Sequence, residues 1–117
     1  MEKQGLLCSG KSILNCDITG YAHFVDMDNL VEEMNKCTDK IIITNAPSPD
    51  IVLLMRKASA IITATGGMTC HVAIVGREMG VPAVVAVKNI YEKVREGMKI
   101  HIIANEGKGD IYEDNII

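Results

Sequence analysis

The sequence predicts an α/β domain built around a single sheet. Short runs of β-branched and apolar residues, "KIIITN", "AIIT" and "AVVAV", recur along the chain as strand signals. Segments with apolar residues at helical spacing lie between them, and no internal repeat or low-complexity linker interrupts the alternation. With 117 residues, 48% of them hydrophobic, residues 1–117 are read as one domain with one compact core. That core is expected to be aliphatic, since the chain has no Trp, one Phe and three Tyr.

Taken in order, "KSILNCDITGYAHFV" (11–25) predicts paired strands with a tight bend or bulge at Gly20. "DMDNLVEEMNKC" sets Leu30, Val31 and Met34 at helical spacing behind Asp26 and Asp28, which predicts a short helix. "KIIITN" follows as a buried strand. In "APSPDIVLLMRKA", two prolines and an Asp pre-organise a helix start, and Ile51, Leu54, Met55 and Ala58 share one face. "AIIT" is the next strand, broken by Gly66 and Gly67; Thr69 is the expected N-cap of a helix "CHVAIVGREM" that ends at Gly80, with Pro82 beyond. The strand "AVVAV", a turn or short helix through "NIYEKVREGM", the strand "KIHIIA", a glycine-rich turn "NEGKGD" and a final short strand complete the chain.

A net charge of −3 and a pI of about 5.5 argue against binding to a phosphate backbone, and the scarcity of aromatic residues removes stacking platforms, so no nucleic-acid partner is expected. "MEKQGLLCSGK" has no signal-peptide character and no apolar run reaches bilayer length, which predicts a soluble cytoplasmic protein without a membrane partner. Cys8, Cys16, Cys37 and Cys70 form no C-x-x-C pair and are read as free thiols. No metal site is expected, because the adjacent Cys70 and His71 are the one pair of candidate ligands close in sequence.

The chemistry concentrates where "AIIT" meets the helix after it. A helix start leaves backbone N–H groups unpaired and carries a partial positive charge of roughly +0.5, so anions are favoured there. Gly66 and Gly67 remove side chains just ahead of it. A neutral imidazole offers a nucleophilic nitrogen, and a phosphoryl group taken up by His71 would lie against the helix N-terminus and the Thr69 hydroxyl. The same residues also suit a well-made strand-to-helix turn without chemistry, and on the residues alone both readings stand. A Cys70–His71 nucleophile–base pair is disfavoured because helix neighbours point about 100° apart. His23 and His101 fall in strand-like segments and read as structural or surface residues, and "NEGKGD" lacks the spacing of a phosphate loop.

"GGMTCHVAIVGREMGVPAVV" resembles the phosphohistidine signature of the mobile domain of phosphoenolpyruvate-utilising enzymes, as found in pyruvate, phosphate dikinase, phosphoenolpyruvate synthase and enzyme I of the sugar phosphotransferase system. The upstream "IIITNAPSPDIVLLMRKASAIIT" is similar to the same family, with its strand, Thr-x-x-Pro turn and helix ending in M-x-K-A. The resemblance implies a single swivelling β/β/α phosphohistidine domain in which His71 is phosphorylated. It also implies that Gly66, Gly67, Thr69 and Cys70 surround the phosphoryl group, and that Arg77 has a structural or partner-docking role. Cys70 stands where the family usually has Ser, and Ala104 and Asn105 where it tends towards Asp-Gly. The family's other parts, an ATP-grasp-like nucleotide domain and a phosphoenolpyruvate/pyruvate-binding barrel, have no room in this chain. The expected activity is therefore one component of a phosphotransferase, with Mg²⁺ and ATP or phosphoenolpyruvate on partner domains or subunits and no cofactor bound here. The alternative is a non-catalytic regulatory or binding module derived from the same domain.

Overall fold

The computed structural model describes residues 5–45, 49–68 and 70–114. Along the chain come β1 (Leu6–Ser12), β2 (Cys16–Phe24), α1 (Leu30–Lys36), β3 (Ile41–Thr44) and α2 (Val52–Met55), the last entered through a 3-10 turn at Pro49–Ile51. They are followed by β4 (Ala60–Thr63), α3 (His71–Met79), β5 (Ala83–Val85), α4 (Ile90–Lys93), β6 (Lys99–Asn105) and β7 (Lys108–Glu113). Helices and strands are mixed as the sequence predicts, and the strands close a barrel in the order β1-β5-β4-β3-β2-β6-β7. Strands β2, β3, β4 and β5 pair parallel with one another, while β1, β6 and β7 complete the wall with antiparallel pairing.

Every residue of β3, β4 and β5 is buried, as expected of parallel strands covered on both faces. Because successive side chains alternate between faces, each strand feeds two cores. Ile41, Ile43, Ala60, Ile62 and Val84 point into the barrel, where they meet Ile100, Ile102 and Ile111 from the antiparallel wall. Ile42, Ile61, Ala83 and Val85 point outward and are covered by Ile51, Leu54 and Met55 before and within α2 and by Val72 and Ala73 of α3. Strands β6 and β7 alternate between buried and more exposed residues instead, since their outer face meets solvent.

Helix α3 lies close enough to the sheet that a Cβ on Gly76 would stand 2.8 Å from the Val81 carbonyl and 3.3 Å from Ala83 Cβ, so glycine is what permits the approach. Its end is a Schellman-type stop: Gly80 adopts a left-handed conformation, φ 74°, and the Val81 N–H donates to the Gly76 carbonyl at 2.9 Å.

Three expectations require correction. The segments β1 and β2 do not pair with each other; β1 takes β5 and β7, β2 takes β3 and β6, and Gly20 sits inside an unbroken β2 opposite Ile100. Barrel closure supplies both strands with other partners, which local sequence does not reveal. The helix after the prolines is short, a 3-10 turn and four α-residues, though Ile51, Leu54 and Met55 are buried on the expected face. The strand "AVVAV" stops at Val85 because Ala86 turns left-handed, φ 61°, which carries the Val87 N–H to the Thr63 carbonyl at 3.0 Å.

Candidate functional site

Parallel strands β3 and β4 end side by side, with Thr44 paired in register with Thr63. Open α/β sheets place ligands beyond such carboxyl ends. Here the chain leaving β4 is fastened to the end of β3: the Ala64 N–H donates to the Thr44 carbonyl at 3.2 Å, and the Thr65 hydroxyl donates to the Asn45 carbonyl at 2.8 Å. The Thr63 hydroxyl donates to the Thr65 carbonyl at 2.6 Å, a local turn that redirects the backbone. Thr63, Thr65 and Asn45 were not singled out from the sequence, although threonines at a strand end are a recognisable turn signal.

Gly66 then takes φ 109°, and a Cβ there would press to 3.1 Å from Cys70 Sγ. Gly67 faces open space, and its carbonyl accepts the Cys70 N–H at 3.0 Å. The turn thus places both glycines and Cys70 ahead of α3. Thr69, expected as N-cap and phosphate neighbour, lies outside the described residues. The N-cap position falls on Cys70, whose carbonyl accepts the first helical bond, from Ile74 N–H at 3.0 Å, and whose thiol makes no capping bond. The cap is therefore one residue later than expected, and His71 is the first residue of the helix.

His71 is exposed, and among the described residues none hydrogen-bonds its ring. Three residues on, and so on the same face, Ile74 is 48% exposed, and Met68 ahead of the helix is 39% exposed. Arg77 is exposed in the last turn of α3, roughly 9 Å along the axis from His71. There it complements the negative end of the helix dipole.

A second polar cluster lies between β2 and α1. His23 Nδ1 bonds Glu96 Oε2 at 2.8 Å and its Nε2 bonds Glu33 Oε1 at 2.6 Å. The other Glu96 oxygen accepts the Phe24 N–H at 2.8 Å. A carboxylate oxygen at each nitrogen favours the protonated, imidazolium form of the ring. Burial opposes that charge, but the hydrogen bonds to Glu96 and Glu33 and the attraction of both carboxylates hold the His23 pKa above its ordinary value. Burial pushes Glu96 up, yet the bonds from His23 and Phe24 hold it below the usual carboxylate range. Glu33 is only 3% exposed and Cys37, one turn later, is fully buried. Burial, reinforced by Glu33 and Glu96, pushes the Cys37 thiol up to about 11. One donor atom each from His23, Glu33 and Cys37 lie within 4.8 Å of one another, a grouping of metal-ligand type that sequence reasoning missed. The i, i+4 spacing of Glu33 and Cys37 was the available signal. His101, by contrast, pairs with Asp17 across β2 and β6 in an exposed position.

No helix among the described residues is long and apolar enough to cross a membrane. Residues 37–107 match the family model of the PEP-utilising enzyme, mobile domain. The chain is 37% identical to phosphoenolpyruvate synthase of Helicobacter pylori over 98% of its own length and 14% of that protein. It is 35% identical to phosphoenolpyruvate synthase of Escherichia coli over 97% of its length and 15% of that protein. Among solved structures, an Enzyme I protein (nEIt) in solution superposes with a TM-score of 0.55 at 26% identity, covering 67% of this chain and 32% of the other. The chain thus spans about a seventh of the curated relatives it matches, and it belongs to the family of PEP-utilising enzyme mobile domains.

Proposed function

We propose that the chain is a phosphoryl carrier in which His71 is transiently phosphorylated. The reading is supported by an exposed imidazole without a described partner at the first residue of α3, behind the Gly66–Gly67 turn and inside the stretch matched by the mobile-domain model. A ring-nitrogen lone pair attacks the donor phosphorus; the N–P bond forms as the P–O bond to the departing nucleotide or enolpyruvate oxygen breaks. The other ring nitrogen keeps its proton, and the second transfer runs the same displacement towards the acceptor. Unpaired N–H groups at the start of α3 stabilise the phosphoryl oxygens, with Thr69 and Cys70 as neighbouring donors and Gly66 and Gly67 clearing the approach.

The donor has to be held in line, which calls for Mg²⁺ and cationic groups. Partner domains or subunits, an ATP-grasp-like nucleotide site and a phosphoenolpyruvate/pyruvate site, would supply them, so the chain acts as one component of a phosphotransferase. Arg77 would serve docking. Such a relay belongs in the cytoplasm, where nucleoside triphosphates are made and used. The test is to combine the chain with candidate partners and ATP or phosphoenolpyruvate and follow intact mass. A single acid-labile, base-stable phosphoryl adduct is expected, absent in His71→Ala. Equal absence of label in wild type and variant with every cognate donor would overturn the reading.

A further inference from the structure

We propose that His23, Glu33 and Cys37 form a binding site for a tetrahedral divalent transition-metal ion of the zinc type, with Glu96 orienting the histidine and water as the fourth ligand. The donor set is nitrogen, oxygen and sulfur, the mixture that zinc accepts and that magnesium and calcium do not. Bonds of about 2.0–2.3 Å set neighbouring ligand atoms roughly 3.3–3.8 Å apart, within the 4.8 Å span of these three atoms. His23 and Glu33, now 2.6 Å apart across a shared proton, need only part by about 1 Å as the metal replaces that proton.

The supporting shell is already built. Glu96 accepts a hydrogen bond from His23 Nδ1–H and is itself fixed by the Phe24 N–H, leaving Nε2 as the metal-facing nitrogen. Glu33 and Cys37 are held one helical turn apart, with the Cys37 N–H donating to the Glu33 carbonyl at 3.1 Å. A fully buried thiol beside a buried carboxylate has no role in the His23–Glu33 ion pair. Charge balances on binding: the metal brings two positive charges, the imidazolium Nε2 proton and the Cys37 thiol proton leave to solvent, and neutral imidazole, carboxylate and thiolate remain as ligands. The site is independent of His71 and of the carrier reading.

The experiment is a Co²⁺ titration of the full chain, reduced and metal-free, followed by displacement with Zn²⁺. One equivalent of Co²⁺ is expected to give tetrahedral visible bands and a thiolate-to-cobalt charge-transfer band. Zn²⁺ should bleach both, release two protons per chain in weak buffer on binding to the metal-free chain, and raise the melting temperature. His71→Ala should titrate like wild type, Cys37→Ser should lose the charge-transfer band, and Glu96→Gln should bind roughly 10- to 100-fold more weakly. No thiolate band in the wild-type protein, a requirement for His71, or an undiminished band in a folded Cys37→Ser protein would each overturn the site. The wild-type titration decides even if the buried substitution prevents folding.

Discussion

His71 and His23 both stand against short helices packed on the same barrel, yet their surroundings are opposite. His71 begins α3 in the open with no described side chain on its ring, whereas His23 is held from both sides by Glu33 and Glu96. A nucleophile needs a free lone pair and room for an incoming phosphorus, which the first arrangement provides. The second consumes both nitrogens in hydrogen bonds and fastens β2, α1 and the segment after α4 together. Exposure and partner count, rather than residue type, separate the histidine proposed as the phosphoryl carrier from the one held in a polar cluster.

The largest expected contrast comes from removing each ring. His71→Ala should abolish phosphoryl acceptance, read by intact mass with a cognate donor, while thermal stability stays within about 0.5 kcal/mol of wild type, as for other exposed sites. His23→Ala should do the reverse, lowering the melting temperature while His71 still accepts the group. The approach to His71 can be perturbed next. Gly66→Val forces a side chain onto a backbone at φ 109° and towards Cys70; the strain is worth roughly 1–3 kcal/mol, and phosphorylation should slow roughly 10- to 100-fold through misplacement of the turn. Rapid-quench labelling would measure it, and an unchanged rate would show that the turn does not position His71.

Stability should also depend on pH through the His23 cluster. Its pKa is raised from 6.5, so its contribution is complete below that value and fades as pH rises through the folded-state value. Glu96 is lowered from 4.5, so its contribution is present above that value and is lost as pH falls through the folded-state value. Melting temperature should therefore decline on both sides of a weakly acidic maximum. Glu33→Gln removes one carboxylate from His23, so it should flatten the alkaline limb and destabilise by roughly 1–3 kcal/mol. The smallest effect is expected at the cap. Cys70 makes no capping bond, and Ser is a favoured N-cap residue, so Cys70→Ser should stabilise by roughly 0.5–1 kcal/mol and lengthen the lifetime of the adduct.

Much of this contrast was legible locally. "IIIT", "AIIT" and "HVAIVGREM" carry their strand and helix assignments within a few residues, and glycines followed by a histidine at a helix start mark the candidate site directly. The cap on Cys70 was not legible, because Thr69 is the residue with capping chemistry and the Cys70 thiol makes no capping bond. Nor was the role of His23, whose partners lie 10 and 73 residues away.

The sequence by itself determined the alternation of strands and helices, the aliphatic core, the family and His71 as the residue to watch, since propensity, periodicity and turn chemistry act over short stretches of chain. Only the tertiary structure decided that β1 and β2 part company to close a barrel, that Thr65 ties the chain leaving β4 to Asn45 at the end of β3, and that His23, Glu33, Cys37 and Glu96 converge. Those outcomes depend on which distant strands find each other, and long-range pairing is chosen by burial of the whole core rather than by any local signal.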